Sequence, residues 1–359
     1  MKRIILIFAA VLTCAFFPAC SGKKSDSGER SDTGERLVIY TWSDMFPQEI
    51  LTGFERETGI RVNYVNFEEN EVMFARLKVA NGGDFDLIIA DDYMLENIIT
   101  EGLATNLDRQ QLPNFGNINP LFQGQFYDPT DEYTIPYGAG VQTIVYDPQL
   151  VSVPITGYQD LWNPVFAQRL GIIDHFRVIN GMALKVMGES YNTNDLDTIR
   201  RAGELLQGLA PNIRLIRYAG MDDEVISGEV SAAVMFTANV TRAMMARPEL
   251  EVVFPREGIG FGIMGAFIPK AAPNPNAAYA FLTYIMDPER GARCFEALGY
   301  YSTFSASDPF ISPQYRPFLT LPADIDRDNM EMIQNISPEA EDLHNRVYEE
   351  FRFAAGAAR

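Results

Sequence analysis

The chain has 359 residues, 47% of them hydrophobic and 21% charged, with a formal net charge of −19 at pH 7. That length suits two lobes, and that composition belongs to a folded chain rather than a disordered one. The acidic surplus excludes a surface built to neutralise nucleic-acid phosphates. Two histidines and three cysteines, without zinc spacing or C-x-x-C, exclude a zinc module and a disulfide framework.

The first segment reads as an address. Lys2 and Arg3 precede an apolar run from Ile4 to Phe17, the pattern of a secretory leader. Phe17-Pro18-Ala19-Cys20 then resembles a bacterial lipobox, with a small residue before a cysteine to be acylated, although Phe17 stands where Leu is usual. Cleavage before Cys20 removes Lys2 and Arg3 and takes the charge from −19 to −21. The stretch SGKKSDSGERSDTGER (21–36) has no aliphatic or aromatic residue, so 20–36 is expected to be a lipidated cysteine with a flexible tether. Cys294 is left as an expected buried thiol. The expectation is a periplasmic protein anchored to a bacterial membrane through Cys20, with its body in water; the alternative is ordinary secretion with cleavage nearby. Beyond the leader no run is long enough for a transmembrane helix.

From Leu37 the pattern alternates strand and helix. Leu37–Tyr40 and Ile60–Phe67 read as strands around a helix over Pro47–Thr58, with Pro47 at its start and Gly59 just past its end. A helix over Asn70–Ala80 stops at Gly82-Gly83, Asp86–Ala90 is an apolar strand buried on both faces, and a helix follows over Tyr93–Gly102. This order predicts a mostly parallel sheet with right-handed crossovers. Further on, Tyr133–Tyr146 is extended, Leu196–Leu209 is helical, and Val230–Phe236 and Glu251–Phe254 are strands. Ala277–Met286, Glu289–Leu298 and His344–Arg352 are helices. The expected fold class is α/β, with two lobes of helix-flanked sheet and a chain that crosses between them more than once.

In open α/β sheets ligands bind beyond the carboxyl ends of strands. The first strand ends in Trp42, Ser43 and Asp44, and the third in Asp91, Asp92 and Tyr93. Two aromatic faces and three carboxylates on one rim suit a cation. The competing reading makes Trp42 a packed aromatic and Asp91 or Asp92 a helix cap.

Gly260-Phe261-Gly262-Ile263-Met264-Gly265 spells a dinucleotide fingerprint, but Pro269, Pro273 and Pro275 follow where a helix would have to start. The stretch is expected to be an extended crossing between lobes, and no cofactor is expected. His175 beside Asp174 could act as a general base, but no nucleophile is marked out, so a hydrolase has no constellation behind it.

The body resembles the spermidine/putrescine-binding proteins of bacterial ABC importers. The resemblance runs from Leu37 to Thr303 through LVIYTWSDMFP (37–47), FERETGIRVNY (54–64), FEENEVMFARLK (67–78), DFDLIIADDYM (84–94), YTIPYGAG (133–140), DLWNP (160–164), SGEVSAAVMF (227–236), FPREG (254–258) and ALGYYS (297–302). It implies two hinged lobes, 37–141 with 263–308 and 142–262 with 309–359, closing on a ligand that a membrane permease then collects. It implies a monomer and no catalysis.

The resemblance also assigns site residues. Trp42, Tyr93 and Tyr300 stand at family aromatic positions, Ser43 keeps a hydroxyl and Asp44 an acid. Phe236 replaces a Trp and Met45 a Tyr. The second lobe departs: His175 and Val178 stand where the family has two amine-holding acids, and Gly262 and Met264 stand where it has Trp and Asp. Asp91 and Asp92 are the expected compensation. The ligand is then a polyamine held from relocated carboxylates or another small, cationic molecule with an apolar portion. The expected contacts are Trp42, Ser43, Asp44, Asp91, Asp92, Tyr93, His175, Phe236, Met264 and Tyr300.

Overall fold

The computed structural model describes residues 35–217, 220–321 and 329–356. The leader, Cys20 and the tether up to Gly34 lie outside the described residues, and Arg36, assigned to the tether, is already the first residue of a strand.

The N-terminal half follows its sequence signals closely. Strand β1 (Arg36–Thr41) leads to helix α1 (Gln48–Thr58), which starts after Pro47 and ends on Gly59 in the left-handed conformation. Strand β2 (Arg61–Asn66), helix α2 (Asn70–Val79), strand β3 (Leu87–Asp91) and helix α3 (Asp92–Thr100) complete the alternation. After a stretch of short turns, β4 (Thr134–Tyr146) runs for 13 residues, all buried.

Then come β5 (Leu170–Ile173), α4 (Phe176–Val186), α5 (Leu196–Leu209), β6 (Ile213–Arg217), α6 (Met221–Ser227), β7 (Ala232–Phe236), α7 (Thr237–Ala246) and β8 (Glu251–Val253). The last elements are β9 (Ile259–Phe267), α8 (Pro275–Ile285), α9 (Pro288–Leu298), α10 (Arg316–Leu319), β10 (Met330–Met332) and α11 (Pro338–Ala354). The last helix begins at Pro338 rather than His344, because Ser337 accepts a hydrogen bond from the Ala340 N–H and Pro338 fills the first helical position.

The strands follow the order β2-β1-β3-β9-β4-β7-β5-β6, with β10 on β9 and β8 on β4. The pairs β1–β2, β1–β3, β5–β6, β5–β7 and β9–β10 are parallel. Strands β4 and β9 bring antiparallel pairings with β3, β7, β8 and each other, so the sheet is mixed. Strand β4 joins the two halves. Its first part, Thr134–Val141, pairs with β9, and its second, Gln142–Tyr146, pairs with β7.

Strand periodicity divides the core. In β1, Leu37 and Ile39 enter one apolar cluster and Val38 and Tyr40 another, so this half of the sheet is covered on both faces. In β7, Ala232 and Val234 face a third cluster, and Ala233 and Met235 a fourth. The chain passes from the first pair of clusters to the second pair between Val141 and Ile144, returns between Val253 and Ile259, and passes over again between Met332 and Ile336. The resulting architecture is α/β and two-lobed. Ile311 and Leu319, in the stretch that the resemblance gave to the second lobe, pack in the first lobe's core.

The G-x-G-x-x-G stretch is the body of β9, a regular strand held on both sides rather than a turn into a helix. Gly260 lets the Gln142 amide lie directly against the β9 backbone, where any Cβ would collide with it.

Candidate functional site

A cavity of about 160 Å³ lies where the carboxyl ends of β3, β5 and β7 approach the middle of β4 and β9. Asp91, Asp92, Tyr93, Met264 and Tyr300 line it from the first lobe. His175 and Phe236 line it from the second, and Gln142, Gly260–Ile263 and Ile333 from the crossing segments. Seven of the ten expected contacts are therefore brought together.

Trp42, Ser43 and Asp44 do not line the cavity. The Trp42 ring rests against Phe67, 4.8 Å between centroids, and its Nε1–H donates to the Glu68 carbonyl at 3.2 Å. Ser43 and Asp44 are exposed. Val178 is fully buried elsewhere in the core.

The carboxylates are the charged centre. Strand β3 is apolar through Ala90, so its end carries Asp91 and Asp92 inward with it. Asp91 Oδ2 accepts from Asn70 Nδ2 at 2.8 Å and makes no capping bond to α3. Asp92, 5% exposed, accepts from the Tyr93 N–H at 2.8 Å and, through its other oxygen, from the Ile263 N–H at 3.0 Å. Tyr93 closes the group, its hydroxyl accepting from Asn70 Nδ2 and donating to Glu71 Oε1.

The groups that hydrogen-bond the pair are neutral, and among the described residues no Lys or Arg lines the cavity. Burial raises Asp91 to about 6. Burial, with the neighbouring Asp91 charge, raises Asp92 to about 8.

The opposite wall is neutral. His175 caps α4, its Nδ1 accepting from the Val178 N–H, and burial followed by the nearby Arg177 charge lowers it to about 4. It stacks on Phe176 and meets Phe236 edge-on at 6.5 Å. Asp174, the supposed partner in a base, instead accepts from the Tyr348 hydroxyl, and among the described residues no Ser, Thr or Cys bonds to the His175 ring.

Gln142, 2% exposed, accepts from the Tyr191 hydroxyl. Sequence reading missed Gln142, although a lone amide within an apolar 13-residue strand was a usable signal. Tyr300 forms the remaining wall. Its ring lies over Gly140, where a Cβ would sit 2.7 Å from Cε1.

The chain matches the family of bacterial extracellular solute-binding proteins over residues 49–316. It belongs to that family. Within it, the chain is 30% identical to the spermidine/putrescine-binding periplasmic protein of Salmonella typhimurium over 321 residues, 88% of this chain and 91% of that one, which places it in the spermidine/putrescine-binding branch. It is 28% identical to a putrescine-binding periplasmic protein of Escherichia coli K12, covering 80% of this chain and 84% of that one. A spermidine/putrescine transporter substrate-binding protein of Streptococcus pneumoniae superposes with a TM-score of 0.81 at 27% identity, over 90% of this chain and all of that one. A solute-binding protein returns its ligand unchanged, so this member of the family is not an enzyme.

Proposed function

We propose that the protein captures a polyamine-class amine, putrescine- or spermidine-like, between its two lobes and presents it to the permease of an ABC importer. The observation that carries this reading is the Asp91–Asp92 pair, buried at the cavity wall with no cation among the lining residues. An ammonium group supplies the missing charge, and Tyr93, Phe236 and Tyr300 offer ring faces to its methylenes. The relatives named above bind polyamines, which supports the same choice.

Binding closes the lobes about the crossing segments, and the closed form is what a permease reads. The lobe limits proposed from the resemblance are adjusted to the packing: 259–262, 309–321 and 329–332 go to the first lobe with Ile259, Ile311, Leu319 and Met332. The protein works as a monomer in the periplasm, held to the membrane by lipid on Cys20. Replacing Cys20 by Ala should release it from membranes into the soluble fraction.

The test is calorimetric titration of the full chain, purified in detergent and refolded to strip carried ligand, with putrescine, spermidine and spermine. Binding at about micromolar Kd or tighter, lost in Asp91→Asn and Asp92→Asn, is the expected outcome. No heat from any of the three amines retires linear polyamines as the ligand.

A further inference from the structure

Among the described lining residues the charged side chains lie on one wall, and His175 and Gln142 on the other each have a hydrogen-bond donor to give. This reading rests on the amine capture proposed above and narrows it. Because the Val178 N–H donates to His175 Nδ1, that nitrogen has no proton, and in a neutral ring the proton sits on Nε2. Nε2 makes no hydrogen bond among the described residues, so it offers an N–H to the cavity. Gln142 behaves alike. Its Oε1 accepts one hydrogen bond, from the Tyr191 hydroxyl, and its Nε2 makes no hydrogen bond among the described residues, so Gln142 also has an N–H to give. Asp174 does not line the cavity, and its carboxylate accepts from Tyr348.

An ammonium has donors only. Placed against His175 Nε2 it would set donor against donor out of water, which is unfavourable. A carbonyl oxygen would satisfy the same two groups. We propose that the cavity selects an amine with one ammonium end, held by Asp91 and Asp92, and one neutral end bearing an acceptor oxygen, held by His175 and Gln142. A mono-N-acylated diamine has that chemistry, whereas a free diamine or triamine has a second charge with no carboxylate to meet it.

The experiment titrates the full chain calorimetrically with N-acetylputrescine, putrescine and n-butylamine, in the wild type and in His175→Asp. Asp is a good helix N-cap, so this variant keeps the α4 cap while replacing a donor with an anionic acceptor. In the wild type, N-acetylputrescine should bind at least about tenfold more tightly than either of the others. In the variant, putrescine should become the preferred ligand.

Putrescine binding as tightly as N-acetylputrescine to the wild type overturns the selection while leaving amine capture standing. n-Butylamine binding equally well overturns the acceptor contact. An unchanged order in a folded His175→Asp variant overturns the role of His175. Silence from all the amines with a folded chain overturns amine capture itself. The wild-type comparison decides the selection even where the variant does not fold.

Discussion

Ligand binding should expel a proton, and the amount can be worked out from the site. The pair titrates at about 6 and about 8, so at pH 7 it holds about one proton, mostly on Asp92. An ammonium favours both carboxylates in their charged form. About one proton should therefore leave per ligand at pH 7, and about a tenth of one at pH 9, where the pair is already ionised.

The sign follows directly. Protons compete with the ligand, so apparent affinity rises with pH, and the Kd at pH 6 should be about a hundredfold weaker than at pH 8. His175, lowered to about 4, is neutral across this window and adds nothing to the slope. Calorimetry in two buffers of different ionisation enthalpy measures the release. Observed enthalpies should diverge between buffers at pH 7 and converge at pH 9. Identical enthalpies at pH 7, or a Kd that does not change between pH 6 and 8, would refute the reasoning.

Three further outcomes follow from the same geometry. In the unliganded chain Asp92 keeps its proton up to about 8, whereas the unfolded chain loses it near the ordinary carboxylate value, so stability falls as pH rises between those limits. Asp92→Asn should flatten that fall, melting above the wild type at pH 8 and losing the ligand-induced rise in Tm. Scanning calorimetry at pH 5 and 8 checks both points. Gly140→Ala puts a methyl 2.7 Å from Tyr300 Cε1 and should displace the ring, weakening amine binding about tenfold and costing about 1–3 kcal/mol of stability, as titration and denaturant melts will show. Burial raises the Cys294 thiol to about 12, so peptide mapping should find it unalkylated in the native chain at pH 8 and fully alkylated in guanidinium.

The first lobe was legible because its signals are local. Pro47 and Gly59 frame α1, and the apolar β3 announces a buried strand that delivers Asp91 and Asp92 to the rim. Helices α4 and α7 were missed for equally local reasons. His175 is an unusual cap, and β7 runs into α7 at Phe236 without a breaker. The pairing of β9 with β3 and β4 left no sequence signal because it is set by tertiary position. Strand-end placement put Asp91, Asp92 and Tyr93 on the rim, and they line the cavity. Trp42, at the end of the first strand, does not line the cavity: its indole packs on Phe67 and donates to the Glu68 carbonyl. Which way His175 and Gln142 present their donors depends on bonds to Val178 and Tyr191, and no sequence spacing encodes those.

The pairing of β3 with β9 also sets the order in which the chain can become safe. Ile88 lies opposite Phe267, and Ala90 opposite Gly265, so β3 waits for a partner made long after it. As the chain emerges from its N-terminus, β1, β2 and β3 can associate early, but they then present an apolar strand edge with nothing beside it. Long-range closure of this kind is slow, and exposed edges recruit other chains in the meantime. The protein should therefore depend on being kept unfolded until most of its length has been delivered, and truncations ending before β9 should aggregate rather than yield an isolated first lobe.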